Sequence, residues 1–339
     1  MKRLGLAAAL LVFASTAQAQ ATDCPNAVVG PSAQNAARDL CLQAKDVFQL
    51  FAPQLGISIT GGNTTLAQGG TLGGIGHFTV EARGNIVKGD VPDVGNFPAP
   101  RTSSPTSEVL PSKTQILGLP AVDGAVGIFK GLPLGLTNVG GIDLLVSASY
   151  VPTVTVGTSD KFSITPATNL KFGYGVRVGA LQESLLVPGV SISYMKRDLP
   201  TTTIAGSSTK FGSFTMADAA VKTTAWRIVA SKSLILFGLA AGFGQDMYDE
   251  SATFSGTANT GLVAPFPTSQ SFGPFALAQK MTRTNYFADV SMNLLLIKLV
   301  GEVGQVRGGT LSPAPFNTFS STAADVSRTY GSVGLRFNW

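Results

Sequence analysis

The 339-residue sequence predicts an all-β fold: a closed antiparallel transmembrane β-barrel of about ten strands, or twelve, with an N-terminal helix on its periplasmic or luminal side. Three observations predict it. Ten segments alternate apolar and polar residues with period two, and their charges sit mid-segment on the polar face. The chain is also poor in charge, at 13% Asp, Glu, Lys and Arg. Yet it lacks the run of about 20 apolar residues that a membrane-spanning helix needs.

The first element is an export signal over residues 1–19. Lys2 and Arg3 precede the short apolar run 4–14, and Ala-Gln-Ala at 17–19 supplies small residues for cleavage before Gln20. Cys24 follows Ala-Thr-Asp, which is no lipid-attachment context. Removing Lys2 and Arg3 lowers the formal charge from +5 to +3, and no Lys/Arg runs follow, so a nucleic-acid partner is not expected. In an oxidising periplasm Cys24 and Cys41 are expected to form one disulfide. Its loop of about 17 residues would contribute roughly 3 kcal/mol by chain-entropy arguments.

Residues 20–76 then read as a helix and a Gly-rich connector. Within 32–51, Ala37, Leu40, Cys41, Ala44, Val47, Phe48 and Phe51 recur at three- and four-residue steps and share a face. Ser32 suits the N-cap, and Pro53 is expected to stop the helix. The connector 56–76 is rich in Gly and Thr.

From His77 to the C-terminus the period becomes two, which defines the barrel region 77–339. The clearest strands fall at 77–86, 142–150, 170–179 and 284–294. Weaker ones fall at 122–130, 190–197, 221–230 and 235–246, and 327–339 closes the set. In 299–307, Glu302 sits in one register and Gln305 and Arg307 in the other, so a bulge is expected there. Residues 56–62 or 113–119 would supply extra strands if there are twelve. None of the 19 prolines falls inside the ten segments, and six crowd into 89–120, which reads as a long loop.

A soluble sandwich alternates too, but its core would not hold charges in mid-strand. The expected inward set is Glu81, Arg83, Asp123, Asp143, Lys171, Arg177, Arg197, Arg227, Asp246, Arg283, Asp289, Arg328 and Arg336. These should pair across a narrow lumen, because unpaired buried charges are costly. Outward apolar residues would face lipid. Connections alternate between short ones, at 231–234 and 295–298, and long ones, at 89–120, 199–220, 247–281 and 308–326. That alternation is the outer-membrane pattern, and an even strand count puts both termini in the periplasm.

The ending Tyr-Gly-Ser-Val-Gly-Leu-Arg-Phe-Asn-Trp resembles the C-terminal β-signal of bacterial outer-membrane barrels. The resemblance implies that Tyr330, Val333, Leu335, Phe337 and Trp339 are read by the barrel-assembly machinery. More commonly that signal ends in Phe. The helix and Gly-rich segment ahead of strand one resemble, in layout, the hatch of fatty-acid-transporter-like barrels, though no Asn-Pro-Ala hatch motif is present. An uncharacterised barrel family fits the same layout.

Catalysis is not expected. His77 is the sole histidine, no Gly-x-Ser-x-Gly context accompanies it, and no clustered ligands suggest a metal or cofactor. Ten strands leave a lumen little wider than side chains fill. Inward glycines 173, 175, 238, 242 and 244 would leave room for the helix or a small apolar solute. The expected function is a plugged barrel with passive uptake of a small or hydrophobic solute. The alternative is a structural or surface-interaction outer-membrane protein without transport.

Overall fold

The computed structural model describes residues 23–294 and 296–339, and the export signal expected over 1–19 lies outside them. Thirteen strands share one sheet: β1 (Phe78–Pro92), β2 (Ser112–Phe129), β3 (Gly141–Tyr150), β4 (Val154–Val156), β5 (Lys161–Pro166), β6 (Leu170–Leu181), β7 (Gly189–Asp198), β8 (Thr202–Ser208), β9 (Gly212–Ser233), β10 (Phe237–Asn259), β11 (Ser269–Leu294), β12 (Ile297–Arg307) and β13 (Arg328–Asn338). Ten of them pair antiparallel in a ring. The order runs β1, β2, β3, β6, β7, β9, β10, β11, β12, β13 and back to β1.

The expected closed all-β transmembrane barrel is corrected: the sheet does not end with the ring. At a register shift between Ala217 and Ala220, with Asp218 at φ +52°, β9 leaves β7 and pairs with β8 instead. From β8 the sheet continues through β5 to β4, which pairs only with β5, so the sheet keeps an open edge there. A 28-residue helix fills the interior. The architecture is a strand-rich ring with an open flange around a helical core. Among the described residues no helix is long and apolar enough to cross a membrane.

The sheet's polarity inverts along its height. In the lower part of β10, Leu239, Ala241, Phe243 and Met247 point outward while Ala240, Gly244 and Asp246 point inward. Higher up, Asp249 points outward and Ser251 and Thr253 lie on the same face, while Tyr248, Ala252 and Phe254 point inward, with Glu250 buried among them and bonded to Gln279. β11 repeats this, with Val290 and Tyr286 outward below, and Met281, Leu277 and Phe275 inward above. The upper part therefore has an ordinary apolar core: Phe254 stacks on Phe275 with centroids 5.1 Å apart, and Phe48 meets Phe254 edge-on at 5.6 Å. This is why the expected loops 199–220 and 247–281 are largely strand. β9, β10 and β11 extend to 22, 23 and 26 residues, and their upper halves follow the opposite pattern. Likewise 113–119 belongs to β2, and of the six-proline stretch only 93–111 lies between β1 and β2, with Pro92 ending β1 and Pro120 inside β2.

The register of β12 is also continuous, without the expected bulge. Glu302 is buried inside, and Gln305 and Arg307 lie on the outward face at its upper end, where that face has turned polar.

Helix α1 (Ala33–Thr60) is longer than the periodicity indicated and runs through Pro53. Ser32 caps it, its Oγ accepting from Asn35 N at 3.1 Å. Of its 28 residues 24 are buried, so the apolar face read from the sequence is one side of a helix enclosed all round. Packing outweighs the proline's lost hydrogen bond, a cost of ~3 kcal/mol in isolation. Past Pro53, Gln54 Nε2 donates to Leu50 O, Ser58 Oγ to Gln54 O and Thr60 Oγ1 to Gly56 O, so side chains reinforce the last turns.

The helix runs from the long-connection end of the ring toward its base. Ser32 N donates to Thr102 O, Asp90 N donates to Gln54 Oε1, and Asn85 Nδ2 donates to Ser58 O. After Gly61 the chain continues through bends and turns to the base, where β1 begins beside Trp339 and the backbones of Phe78 and Trp339 exchange hydrogen bonds. The first described residues do not share the end of the ring that holds Trp339. The arm Asp23–Pro31 lies at the end opposite Trp339.

Candidate functional site

The site is the segment threaded through the ring and the wall that grips it. Wall cations donate to segment carbonyls. Arg197 reaches Ile59 O (3.3 Å), and Arg227 reaches Thr60 O (3.1 Å) and Gly62 O (3.2 Å). Arg83 reaches Gly61 O (3.3 Å) and Asn63 O (3.0 Å), and Arg336 reaches Leu66 O (2.6 Å). Wall carboxylates accept from segment amides. Glu302 takes Asn63 N (3.0 Å), Glu81 takes Leu66 N (3.1 Å), Asp289 takes Ala67 N (3.1 Å) and Asp143 takes Leu72 N (3.1 Å). Ser231 Oγ accepts from Gly69 N at 2.8 Å. Charge-assisted bonds of this kind are about twice as strong as neutral ones. Here they also satisfy the backbone of a segment that has no secondary structure after Thr60.

Gly62 makes the turn from helix to extended chain possible. Its φ is +63°, and a Cβ there would collide with the Glu302 carboxylate.

The same charges pair among themselves. Asp123 bridges Arg83 (2.8 Å) and Arg197 (3.4 Å), Asp143 meets Arg177 (2.7 Å), and Arg227 meets Asp246. Arg328 pairs with Asp90 at 2.8 Å, a partner the alternation left in the loop region. Arg283 instead donates to the carbonyls of Asp325 and Val326. Lys171, opposite Ser149, is exposed and joins nothing in the lattice. Sequence reasoning missed the grip on the segment's backbone, since carbonyls and amides carry no signature. Glu302 was left out of the expected inward set, because the assumed bulge left its face undecided.

The interior glycines do not leave room for a solute. A Cβ at Gly175 would strike the Met195 sulfur at 2.6 Å, and one at Gly242 the Phe287 ring at 2.4 Å, so neighbouring wall side chains occupy that space. With α1 and residues 61–72 bonded into the remainder, the expected porin-like passive uptake is corrected. Among the described residues, the ring's interior is filled by α1, residues 61–72 and wall side chains.

At the long-connection end a polar stripe on α1 holds the two longest connections down. Asp39 accepts from Arg101 N (2.8 Å), and Gln43 donates to Glu108 (3.1 Å). Asp46 accepts from Phe316 N, Asn317 N and Asn317 Nδ2, each at 2.8 Å, and Gln49 donates to Pro313 O (2.6 Å). The connections are joined to each other by a parallel pairing of 109–110 with 318–319. Burial is the largest influence on both acids, raising Asp39 to about 6 and Asp46 to about 7 against the lowering effect of the donated N–H groups. Cys24 and Cys41 form a disulfide that clips the arm to α1.

In the last strand Val333, Leu335 and Trp339 face outward, and Trp339 stacks on Phe78 and Phe337. Tyr330 is on the other face, buried, with its hydroxyl donating to Asn285 Oδ1 at 2.8 Å. His77 is exposed at the base. Among the described residues no three His, Cys, Asp or Glu side chains group to hold a metal.

No family model matches the chain, and no curated protein matches it. Among solved structures it is similar to the outer-membrane OmpT of Vibrio cholerae, at 11% identity over 78% of this chain and 97% of that one, with a TM-score of 0.16. The anion-selective porin from Comamonas acidovorans matches at 12% identity over 78% and 98%, TM-score 0.17. The outer membrane protein OpdK from Pseudomonas aeruginosa matches at 8% identity over 78% and 99%, TM-score 0.17. At TM-scores this low the likeness identifies neither fold nor role.

Proposed function

We propose that the chain is a structural or surface-interaction protein of the bacterial outer membrane that transports nothing. The observation that carries this reading is the filled interior, where wall arginines and carboxylates are committed to the backbone of residues 59–72. A conduit needs side chains that face water; these face protein.

The location rests on the outward face. On β10 no charge points outward from Phe237 to Met247, roughly 33 Å of strand at about 3.3 Å per residue. Tilted by about 40°, that is close to the ~25 Å apolar band of outer-membrane proteins. Above it, Lys222, Asp249 and Lys280 lie side by side in the pairing register. Exposed Leu132, Leu134, Leu234 and Ile235 continue the apolar surface into the base turns. So large an apolar surface needs a cover, and outer-membrane lipid is the partner that fits all of it at once. The last strand, with Val333, Leu335 and Trp339 outward, suits recognition by the assembly machinery during insertion.

Two measurements on the intact protein test this. The chain should stay with the outer membrane through high-salt and carbonate washes and leave only with detergent. Reconstituted into planar bilayers and liposomes, it should give neither unit conductance nor solute-dependent swelling. Stable single-channel steps, or release from envelopes by salt alone, would overturn the reading.

A further inference from the structure

The direction of α1 sets where the arm Asp23–Pro31 goes. Trp339 and His77 lie at the short-turn base, whereas the arm Asp23–Pro31 lies at the opposite end. Contacts follow the chain down in order. Arg38 donates to Pro25 O, Asn35 Nδ2 donates to Thr102 O (3.0 Å), Asp39 meets Arg101, Asp46 meets Asn317, Gln54 meets Asp90, and Leu66 meets Glu81. The helix alone covers about 42 Å at 1.5 Å per residue, and 61–72 covers the rest. The chain thus passes through the whole height of the ring before its first strand begins.

Resting on the outer-membrane reading above, we infer that the arm is displayed outside the cell, on the same surface as the long connections and opposite the C-terminus. The contact surface of the protein is then composite. It is built from the arm, closed onto α1 by Cys24–Cys41 and Lys45–Asp23, together with connections 93–111 and 308–327, which α1 holds. The arm is seated in that surface, since Asn35 Nδ2 donates to Val28 O and Gly30 O at 2.9 Å while Asn26, Ala27 and Val29 remain exposed. Of its exposed residues only Asp23 is charged, and it pairs with Lys45 at 3.5 Å, while the adjoining connections are rich in Ser and Thr.

The test is labelling of single-cysteine additions in intact cells with a membrane-impermeant maleimide. V29C is the probe, V263C in the β10–β11 connection is the outer-end control, and H77C is the base control. V29C and V263C should label alike on intact cells, and H77C only after the outer membrane is permeabilised. If V263C labels and V29C does not, the display inference fails while the outer-membrane reading stands. If V263C and V29C both require permeabilisation, the two fail together. Because a third thiol can exchange with Cys24–Cys41, an epitope inserted between Asn26 and Ala27 provides the second measurement. Antibody binding on intact cells supports display, and binding only after permeabilisation overturns it.

Discussion

Asp46 shows how one side chain couples the interior helix to the outer cap. It is fully buried and takes three N–H bonds from Phe316 and Asn317, yet burial still raises it from 3.8 to about 7. A carboxyl whose folded value exceeds its unfolded value stabilises fully below the unfolded value and loses that contribution as pH rises through the folded one. The window is therefore pH 4 to 7, and Asp39, raised to about 6, acts in the same direction. At about 1.4 kcal/mol per unit, the loss from Asp46 is on the order of 4 kcal/mol at most. Wild-type protein should lose heat stability relative to D46N between pH 4 and pH 8, read as the temperature of its gel-mobility shift. Parallel pH profiles would refute it. At this scale the inward arginines and aspartates were legible in the sequence because alternation fixes the face. Their partners were not, because the arginines divide between carboxylates on other strands and carbonyls of a segment with no pattern of its own. Lys171 illustrates the limit: it has the inward parity but sits where the ring's upper end is open to solvent.

The helix is the element where local signals and tertiary context diverge most. Ser32 and the apolar stripe were readable, whereas the continuation past Pro53 depends on enclosure by β1, β9, β10 and β11. The polar residues Asn35, Asp39, Gln43, Asp46 and Gln49 would pass for a solvated face. They are buried instead beneath the two connections they bind. The Cys24–Cys41 link, closing 17 residues, is expected to contribute about 3 kcal/mol to holding the arm. Reduction, or C41S, should make residues 23–32 cleavable by added protease while the strands keep their resistance. An arm equally resistant with and without the disulfide would show that its hydrogen bonds to Asn35 suffice. The strands were legible where apolar residues face outward. They were lost in the upper halves of β9–β11, where the parity of Phe254, Phe275 and Met281 belongs to a water-facing sheet with an apolar interior.

For the whole molecule, two solvents are written into one sheet. The lower part turns its apolar residues outward and its charges inward, whereas the upper part turns apolar residues inward around a buried Glu250–Gln279 pair and polar ones outward, with the change near Met247 and Asp249 on β10. A closed barrel follows from the first pattern alone. The flange of β8, β5 and β4 belongs to the second, and nothing in the ten segments announces it. What unites the two parts is the segment from Ala33 to Leu72, which serves as apolar core above and as counterpart of the charge lattice below. The central claim is that this segment is a fixed part of the fold. Amide hydrogen exchange of Asn63, Leu66, Ala67, Gly69 and Leu72 in the intact protein tests it most directly, because each donates to a wall side chain. The account predicts exchange as slow as in the facing strands β1 and β13. Exchange as fast as in the outer connections would mean that the wall does not hold the segment, and would contradict it.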